Sequence, residues 1–228
     1  MNAPDFLRSS LLDEIGLEHG FGTRHTVART PSDVHFARQI HGSVLLRAPF
    51  PEARAEADAL WTDRAGIAVG VVTADCVPIL IAHESGGFVS AVHAGWRGSA
   101  ARIAALTVRA LVAATGRRSG EFCAAIGPHI GPCCYEVDLP VQQAIPQRSV
   151  YRAAPRPDRA MLDLFALNRL QLVGAGVPAR RIERVGGCTA CDADLYASYR
   201  RERGSGRMLH FVRAGRRLEA SGLSCPSP

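Results

Sequence analysis

Short apolar segments bounded by glycine, proline or polar residues recur along the chain, and this pattern predicts β-strands. Three of them follow one another closely with no helical segment between, which favours antiparallel neighbours at 66–73, 77–83 and 87–93. The other predicted strands lie at 43–48, 122–127, 181–186 and 207–213. The pattern therefore predicts a protein rich in short strands.

Two stretches have apolar positions three and four residues apart, which is typical of amphipathic helices. The first runs from Ala100 to Ala114 and is followed by Gly116 as a stop signal. The second runs from Leu162 to Val173 and is followed by Gly174. The predicted apolar face of the first consists of Ile103, Leu106, Ala110, Leu111 and Ala114.

The segment 146–159 contains three prolines and four arginines, which predicts an exposed loop and makes it the best candidate for a linker. The pattern of strands and helices resumes after it. We therefore expect one mixed α/β (α+β) domain over residues 1–228, with an irregular tail from about residue 214. The expected fold is a layered sandwich of mixed, largely antiparallel sheets flanked by helices.

Composition narrows the chemistry, because the 228 residues include no lysine and all 27 basic residues are arginine. Schiff-base mechanisms, the Walker A phosphate loop and protein-kinase chemistry each need a lysine and are excluded. Any anion must be held by arginine, by neutral, histidine or backbone donors, or by a metal. The same bias is also what a GC-rich genome produces.

Charge is concentrated in the second half of the chain. Residues 1–114 have a net charge of −1, and residues 115–228 have a net charge of +7. A basic patch is compatible with phosphate or nucleic acid, but only 6% of residues are aromatic and no nucleic-acid-reading motif is present. We therefore expect no nucleic-acid partner.

The expected location is the cytoplasm, without a membrane partner. The N-terminus lacks the pattern of a secretory signal, and the longest apolar run, 67–82, is interrupted by Asp75 and Pro78. The seven cysteines are an odd number without the spacing of a small disulfide scaffold, so reduced thiols or metal ligands are expected.

Metal-competent side chains stand at the ends of apolar runs in three segments, QIHG at 39–42, TADCVP at 73–78 and AVHAGWRG at 91–98. Together His41, Cys76 and His93 form a two-histidine, one-cysteine set. Three protein ligands with a fourth open position are typical of catalytic zinc, and the same donors also suit copper. The alternative is a buried cysteine with two histidines hydrogen-bonded in the core.

Further thiols lie in a turn-rich loop and in a later Cys-x-x-Cys pair. His129, Cys133 and Cys134 are alternative ligands, although for His129 a structural role in the turn is favoured. Cys188 and Cys191 have metal or redox spacing, but without a second matched pair the spacing favours packed cysteines.

Five strings occurring in this order resemble the bacterial YfiH family, from about His19 to Val212. Members are also described as polyphenol oxidase or multicopper laccase domain, purine nucleoside phosphorylase and peptidoglycan editing factor. The resemblance implies a fold similar to the cysteine-hydrolase domain of a deamidating toxin. It also implies a zinc held by His41, Cys76 and His93. The strings are QIHG, ADCVPIL, AVHAGWRG, IGPHIGPCCYEV, and CT with SYRRERGSGRM.

By the same resemblance the substrates are a purine nucleoside and phosphate. The implied activity is zinc-dependent phosphorolysis of adenosine, inosine, guanosine and methylthioadenosine, together with adenosine deamination. Arg24 and Arg200 are nominated to bind phosphate, Arg97 is the runner-up, and Gln39 is a candidate for a base edge or ribose hydroxyl. Asp75 is expected either to orient a ligand histidine or to satisfy a turn.

The chain departs from the family pattern near its start. Only about fifteen residues, from His25 to Gln39, fill an interval that family members extend with a glycine-rich stretch and an SLN string. A shortened N-terminal lobe is expected, which puts the pocket role of Arg24 in question.

Two other enzyme classes remain open. One is a metal-free or metal-dependent amide hydrolase acting on peptidoglycan precursors, with Cys76 as nucleophile and His93 as base. The other is a copper polyphenol oxidase, which is disfavoured because the chain has only eight histidines and no His-x-His pair.

Overall fold

The computed structural model describes residues 4–26, 31–51, 55–204 and 206–215, and they form a layered α+β sandwich. Its helices are α1 (Ser10–Glu14), α2 (Trp96–Ala100), α3 (Ile103–Thr115), α4 (Leu139–Ala144), α5 (Leu164–Gly174) and α6 (Tyr199–Glu202). Its strands are β1 (Phe6–Leu7), β2 (His19–Gly22), β3 (Val34–His35), β4 (Leu45–Arg47), β5 (Ala59–Thr62), β6 (Ala68–Thr73), β7 (Val77–His83), β8 (Val89–Ala94), β9 (Phe122–Ile126), β10 (Glu136–Val137), β11 (Tyr151–Ala153), β12 (Ala160–Leu162), β13 (Ile182–Arg184) and β14 (Met208–Arg213).

Three sheets organise the described residues. A six-stranded sheet has the order β13-β9-β7-β8-β5-β4, a five-stranded sheet has the order β1-β2-β14-β6-β3, and a small sheet has the order β10-β12-β11. Most neighbours are antiparallel; the parallel pairs are β3 with β6, β4 with β5, and β13 with β9. The predicted sandwich of mixed, largely antiparallel sheets is confirmed.

The central strand β7 explains the layering. Successive side chains of a strand point to opposite faces. Ile79 and Ile81 belong to the core that includes residues of α3 and α5, whereas Leu80 and Ala82 belong to the core shared with the five-stranded sheet. Because both faces are covered, β7 is apolar along its whole length and buried throughout.

The predicted antiparallel order is right for β7 and β8 but wrong for β6 and β7. β6 pairs with β14 and β3 in the five-stranded sheet, so the chain crosses between sheets at residues 74–76. Asp75, in the middle of this crossing, has a φ of 88°. The turn breaks the extended path, and the next strand therefore starts in the other layer.

The predicted helix from Ala100 is divided, because Arg102 adopts a left-handed conformation with a φ of 63° and separates α2 from α3. Gly116, also left-handed, ends α3 as predicted. The buried face is shifted from the predicted one: Val108 and Thr107 are buried, whereas Leu106 is exposed. The second helix is confirmed as α5.

The segment 146–159 is more ordered than an exposed loop. Val150 is buried, and β11 pairs with β12 in the small sheet. The shortened interval before Gln39 contains β3, which pairs with β6; residues 27–30 of that interval lie outside the described residues, as does the predicted tail from residue 216 onward.

Candidate functional site

The three predicted metal ligands converge at one end of the six-stranded sheet. The ligand atoms of His41, Cys76 and His93 all lie within 4.8 Å of one another. His93 is on β8 opposite Pro78 of β7, and Cys76 immediately precedes β7. The antiparallel register therefore brings the cysteine to the histidine, and the loop before β4 supplies His41.

Asp58, which the sequence reading missed, organises this group. Its buried carboxylate accepts a hydrogen bond from Nδ1 of His93 at 2.8 Å and from the backbone N–H of His41 at 2.9 Å. The other carboxylate oxygen accepts from the N–H of Gly42 at 2.6 Å. One side chain thus orients the ring of His93 on β8 and the backbone of the loop that carries His41. The available signal was a lone aspartate in the alanine-rich ADAL string that opens β5.

The donor set fits a zinc ion. One thiol and two imidazoles are donors that zinc accepts, and a carboxylate holding the far nitrogen of a ligand histidine is a recurring arrangement around zinc. Gly95 keeps the space open: a Cβ there would lie 3.1 Å from Sγ of Cys76 and 3.3 Å from Cδ2 of His41. His93 is buried, Cys76 is half-buried and His41 is exposed, so the group can be reached from solvent.

Electrostatics favour an ionised thiol even without a metal. Burial raises the pKa of Cys76, but its interactions with His41 and His93 outweigh burial and lower the pKa to about 7. Burial lowers the pKa of His93, but the hydrogen bond to Asp58 and the neighbouring Cys76 raise it to about 9. Without metal, this geometry favours a thiolate–imidazolium pair.

Asp75 does not touch a ligand histidine. Its carboxylate accepts a hydrogen bond from Oγ1 of Thr189 at 2.6 Å and from the backbone N–H of Arg200 at 2.6 Å. Both contacts are with residues more than a hundred positions away along the chain. Histidine orientation belongs to Asp58. Asp75 instead fastens the β6–β7 crossing, and hence the backbone beside Cys76, to the C-terminal part of the chain.

The ligand group opens into a cavity of about 1460 Å³. Ligand pockets of drug-sized molecules usually occupy roughly 300–1,000 Å³, so two small substrates have room here together. The cavity is strongly basic, and the arginines that line it are Arg38, Arg97, Arg156, Arg159, Arg200, Arg203 and Arg207.

Several of these arginines are already neutralised, and others are not. Arg156 pairs with Glu136, and Arg159 lies 3.6 Å from Asp138. Within the described part of the chain, the guanidinium groups of Arg97 and Arg200 form no ion pair with a carboxylate. Arg97 stacks on Trp96 at 4.3 Å.

Arg200 is held beside Tyr135. Its guanidinium lies 5.1 Å from the centre of the Tyr135 ring and donates to the carbonyl oxygen of Glu136 at 3.2 Å. Both Arg97 and Arg200 are positively charged groups fixed at the cavity wall, which suits an anion.

The remaining nominated residues occupy different positions. Gln39 lines the cavity, but its amide exchanges two 2.8 Å hydrogen bonds with the backbone of Val72, which ties the QIHG segment to β6. Arg24 is not among the residues lining the cavity; it binds the carbonyl of Ala193 and lies 3.5 Å from Glu202.

A second group of potential ligands lies outside the first. The thiol sulfurs of Cys133, Cys134, Cys188 and Cys191 all lie within 4.8 Å of one another. The matched pair that the sequence seemed to lack is therefore the adjacent Cys133 and Cys134. His129 is not in this group: it is fully buried, and its Nδ1 contacts the carbonyl of Gly127 at 2.7 Å.

Among the described residues, two groups bring three or more metal-binding side chains together, and they are the two given above. The histidines outside the first group therefore do not form a copper cluster in this part of the chain. Among the same residues, no helix has both the length and the apolar character needed to cross a bilayer.

Comparison with known proteins gives concordant matches. Residues 22–214 match the family described as multi-copper polyphenol oxidoreductase laccase. The chain is 42% identical over 173 residues to the purine nucleoside phosphorylase YlmD of Geobacillus stearothermophilus, covering 71% of this chain and 61% of that protein. It is 39% identical over 196 residues to a purine nucleoside phosphorylase of Xylella fastidiosa, covering 81% of this chain and 74% of that protein.

A relative with another name is adenosine deaminase RL5 from an unknown prokaryotic organism, 39% identical over 63% of this chain and 56% of that protein. Among solved structures, Bacillus licheniformis YfiH superposes with a TM-score of 0.84 at 28% identity, covering 93% of this chain and 97% of that one. YlmD from Geobacillus stearothermophilus superposes with a TM-score of 0.82 at 30% identity, covering 94% and 98%.

Proposed function

This chain belongs to the family described as multi-copper polyphenol oxidoreductase laccase, and we propose that within this family it is a zinc-dependent purine nucleoside enzyme. It cleaves adenosine, inosine, guanosine and methylthioadenosine with phosphate, and it deaminates adenosine. The observation that carries the proposal is the set of His41, Cys76 and His93, oriented by Asp58, at a cavity lined by arginines. Relatives named purine nucleoside phosphorylase and adenosine deaminase support it.

His41, Cys76 and His93 would hold the zinc, with Asp58 fixing the ring of His93. A zinc held there would supply a Lewis acid beside the cavity. The carboxylate of Asp58 binds Nδ1 of His93, which would leave the other ring nitrogen available to bind the metal.

Phosphorolysis breaks the bond between the ribose C1′ and the purine nitrogen, joins a phosphate oxygen to C1′, and leaves the purine with a proton. The chain has no lysine to hold that phosphate. We assign the task to Arg97 and Arg200, whose planar guanidiniums suit two-point contact with phosphate oxygens. Gln39 supports the pocket wall through the backbone of Val72.

The direct test incubates the zinc-loaded protein with adenosine, with and without inorganic phosphate. Adenine and ribose 1-phosphate are expected only with phosphate. Ammonia is expected in both reactions, together with inosine, which phosphate allows the protein to convert further to hypoxanthine. A Cys76→Ala variant should lose both activities, and a Cys123→Ala variant, changed in the core away from the ligands, should keep them. Absence of turnover by folded, zinc-loaded protein would contradict the proposal.

One observation favours a second candidate function, an amide hydrolase acting on peptidoglycan precursors. Cys76, His93 and Asp58 have the order of a nucleophile, a base and an orienting carboxylate. In such an enzyme the thiolate attacks the amide carbonyl, the C–N bond breaks and His93 gives its proton to the departing amine. Water then hydrolyses the thioester on Cys76, which releases the acid and restores the thiol. Amine release from a peptidoglycan precursor by metal-free protein, abolished by added zinc, would favour this candidate over the nucleoside enzyme.

Copper oxidase chemistry is the least supported reading. Copper suits the His41, Cys76 and His93 donors, but a multicopper cluster needs further histidine ligands, and among the described residues no third histidine joins this group. We further propose a cytoplasmic location, because the six described cysteines are unpaired thiols and a reducing compartment keeps them so.

A further inference from the structure

We propose that Cys133, Cys134, Cys188 and Cys191 form a second metal site, a structural zinc site with four thiolate ligands. Nothing in the proposed nucleoside chemistry uses these residues. They come from two loops far apart in sequence, one between β9 and β10 and the other after β13. The fold brings all four sulfurs within 4.8 Å of one another.

The spacing of the sulfurs matches this ion. Zinc binds thiolate sulfur at about 2.3 Å, which in a tetrahedron separates the sulfurs by about 3.8 Å. Sγ of Cys191 lies 3.5 Å from Sγ of Cys133 and 3.4 Å from Sγ of Cys134. Both distances are far longer than a disulfide bond of about 2.05 Å. The four sulfurs are therefore close enough together for one zinc ion to bind them all, and they are free thiols rather than disulfides.

The surrounding backbone is shaped to these sulfurs. Gly131 donates its N–H to Sγ of Cys188 at 3.2 Å, a hydrogen bond that stabilises a thiolate. A Cβ at Gly131 would lie 3.3 Å from Sγ of Cys133 and 3.3 Å from Cβ of Cys188. A glycine at this position thus leaves room for the sulfurs and also supplies a donor to one of them.

Four thiolates and no open position define a structural site rather than a catalytic one. On binding, each thiol gives up its proton, so one zinc displaces up to four protons and no group is oxidised or reduced. Cys133 and Cys191 are exposed, which gives the ion a path of entry.

Such a zinc would fasten the cavity wall. Thr189, next to Cys188, donates its N–H to the carbonyl of His129 at 3.0 Å and its hydroxyl to Asp75 at 2.6 Å. Asp75 in turn precedes Cys76. The loop carrying Cys133 continues into Tyr135, which lines the cavity. The second zinc would therefore stabilise the walls of the first site without touching its ligands.

The test is metal analysis of the whole protein, purified under reducing conditions and loaded with zinc. Wild type should retain two zinc ions per chain, and the Cys188→Ser/Cys191→Ser double variant one. Cys123→Ala, which removes a buried thiol outside both groups, should retain two. An equal zinc content in wild type and the double variant would overturn the proposal, whereas one zinc in wild type and none in the double variant would overturn only the zinc assignment of the first site.

Cobalt provides a measurement that does not depend on folding of the double variant. In a Cys76→Ala variant loaded with cobalt, one ion per chain should show the intense absorption of tetrahedral cobalt with thiolate charge transfer. A spectrum lacking thiolate charge transfer would overturn the assignment. So would mass analysis showing that the four sulfurs are joined as disulfides in the reduced preparation.

Discussion

Asp58 accepts the Nδ1 hydrogen of His93 at 2.8 Å and the backbone hydrogen of His41 at 2.9 Å. Both bonds end on the same oxygen. A single buried carboxylate atom therefore sets the ring of one metal ligand and the backbone of another, and this relationship leads to the first prediction.

Asp58→Asn should weaken zinc binding at the first site about ten- to a hundred-fold, the usual cost of losing the partner of a ligand histidine. The amide cannot offer two anionic acceptor oxygens, so the ring of His93 and the loop at His41 both lose their anchor. Competition with a chelator measures the affinity. Asp63→Asn, which changes a carboxylate paired with Arg47 at the surface, is the control. Equal affinity in Asp58→Asn and wild type would refute the orienting role.

Gly95→Ala should also reduce metal affinity, for a steric reason. The added methyl group would lie 3.1 Å from Sγ of Cys76 and 3.3 Å from His41, closer than these atoms tolerate without moving. The backbone of Gly95 has a φ of −66°, so alanine fits the conformation itself. Gly120→Ala, where a Cβ meets nothing within 4 Å, should leave affinity unchanged. Chelator competition on both variants gives the comparison, and equal losses would count against the crowding argument.

The thiol of Cys76 in metal-free protein should react with iodoacetamide half-maximally near pH 7, because its pKa is lowered to about 7. The thiolate is the reactive form, so the rate rises as pH increases through that value. Peptide mass analysis follows each cysteine separately. Cys123 is an internal control, since burial raises its pKa to about 11 and it should stay unmodified. Bound zinc should protect Cys76 from iodoacetamide. In metal-free protein, a pH profile centred near the ordinary thiol pKa would contradict the electrostatic argument.

Arg200→Gln should raise the KM for phosphate about ten- to a hundred-fold, as expected for losing about 1.5–3 kcal/mol of charge-assisted hydrogen bonding. The KM for the nucleoside should change much less. Arg24→Gln is the matched control, because Arg24 does not line the cavity. Initial rates at varied phosphate measure both. An effect of Arg24→Gln as large as that of Arg200→Gln would instead restore Arg24 to the phosphate site.

His210 should make the protein acid-sensitive. Burial lowers the pKa of this histidine to about 3, against 6.5 in the unfolded chain. As pH falls below 6.5 the unfolded state takes up the proton first, so stability is full above 6.5 and falls by about 1.4 kcal/mol per pH unit toward the folded pKa. His210→Gln, which can keep the hydrogen bond to Thr73, should flatten this slope. Urea unfolding of both proteins at pH 7, 6 and 5, with chelator present, measures it; parallel slopes would exclude His210 as the source.

The sequence predicts the long strands, because their apolar runs and turn residues are local signals. It does not predict which sheet takes β6 and β7. That depends on the φ of 88° at Asp75, a conformation that a non-glycine residue adopts only when its surroundings hold it there. The short strands β1, β3 and β10, with two residues each, carry too few positions for a pattern.

The first site is predicted in part. His41, Cys76 and His93 follow from the family resemblance, because each lies within one of its strings; their spacing alone leaves open the alternative of a buried cysteine with two core histidines. Asp58 does not, because a lone aspartate before a strand is a common feature whose role depends on long-range pairing of β5 with β8. The sequence does not predict the four-cysteine group, for a similar reason. Its two cysteine pairs differ in spacing, are more than fifty residues apart and become one cluster only after folding.

The position of β14 has a consequence for how the chain folds during its synthesis. This strand, the last one among the described residues, lies inside the five-stranded sheet, with β2 on one side and β6 on the other. A growing polypeptide that has not yet reached Met208 leaves both neighbours with open edges, and open edges invite association between chains. Insertion of β14 therefore closes these two edges. Until then, the nascent chain exposes two sites for association between chains that the folded sheet does not.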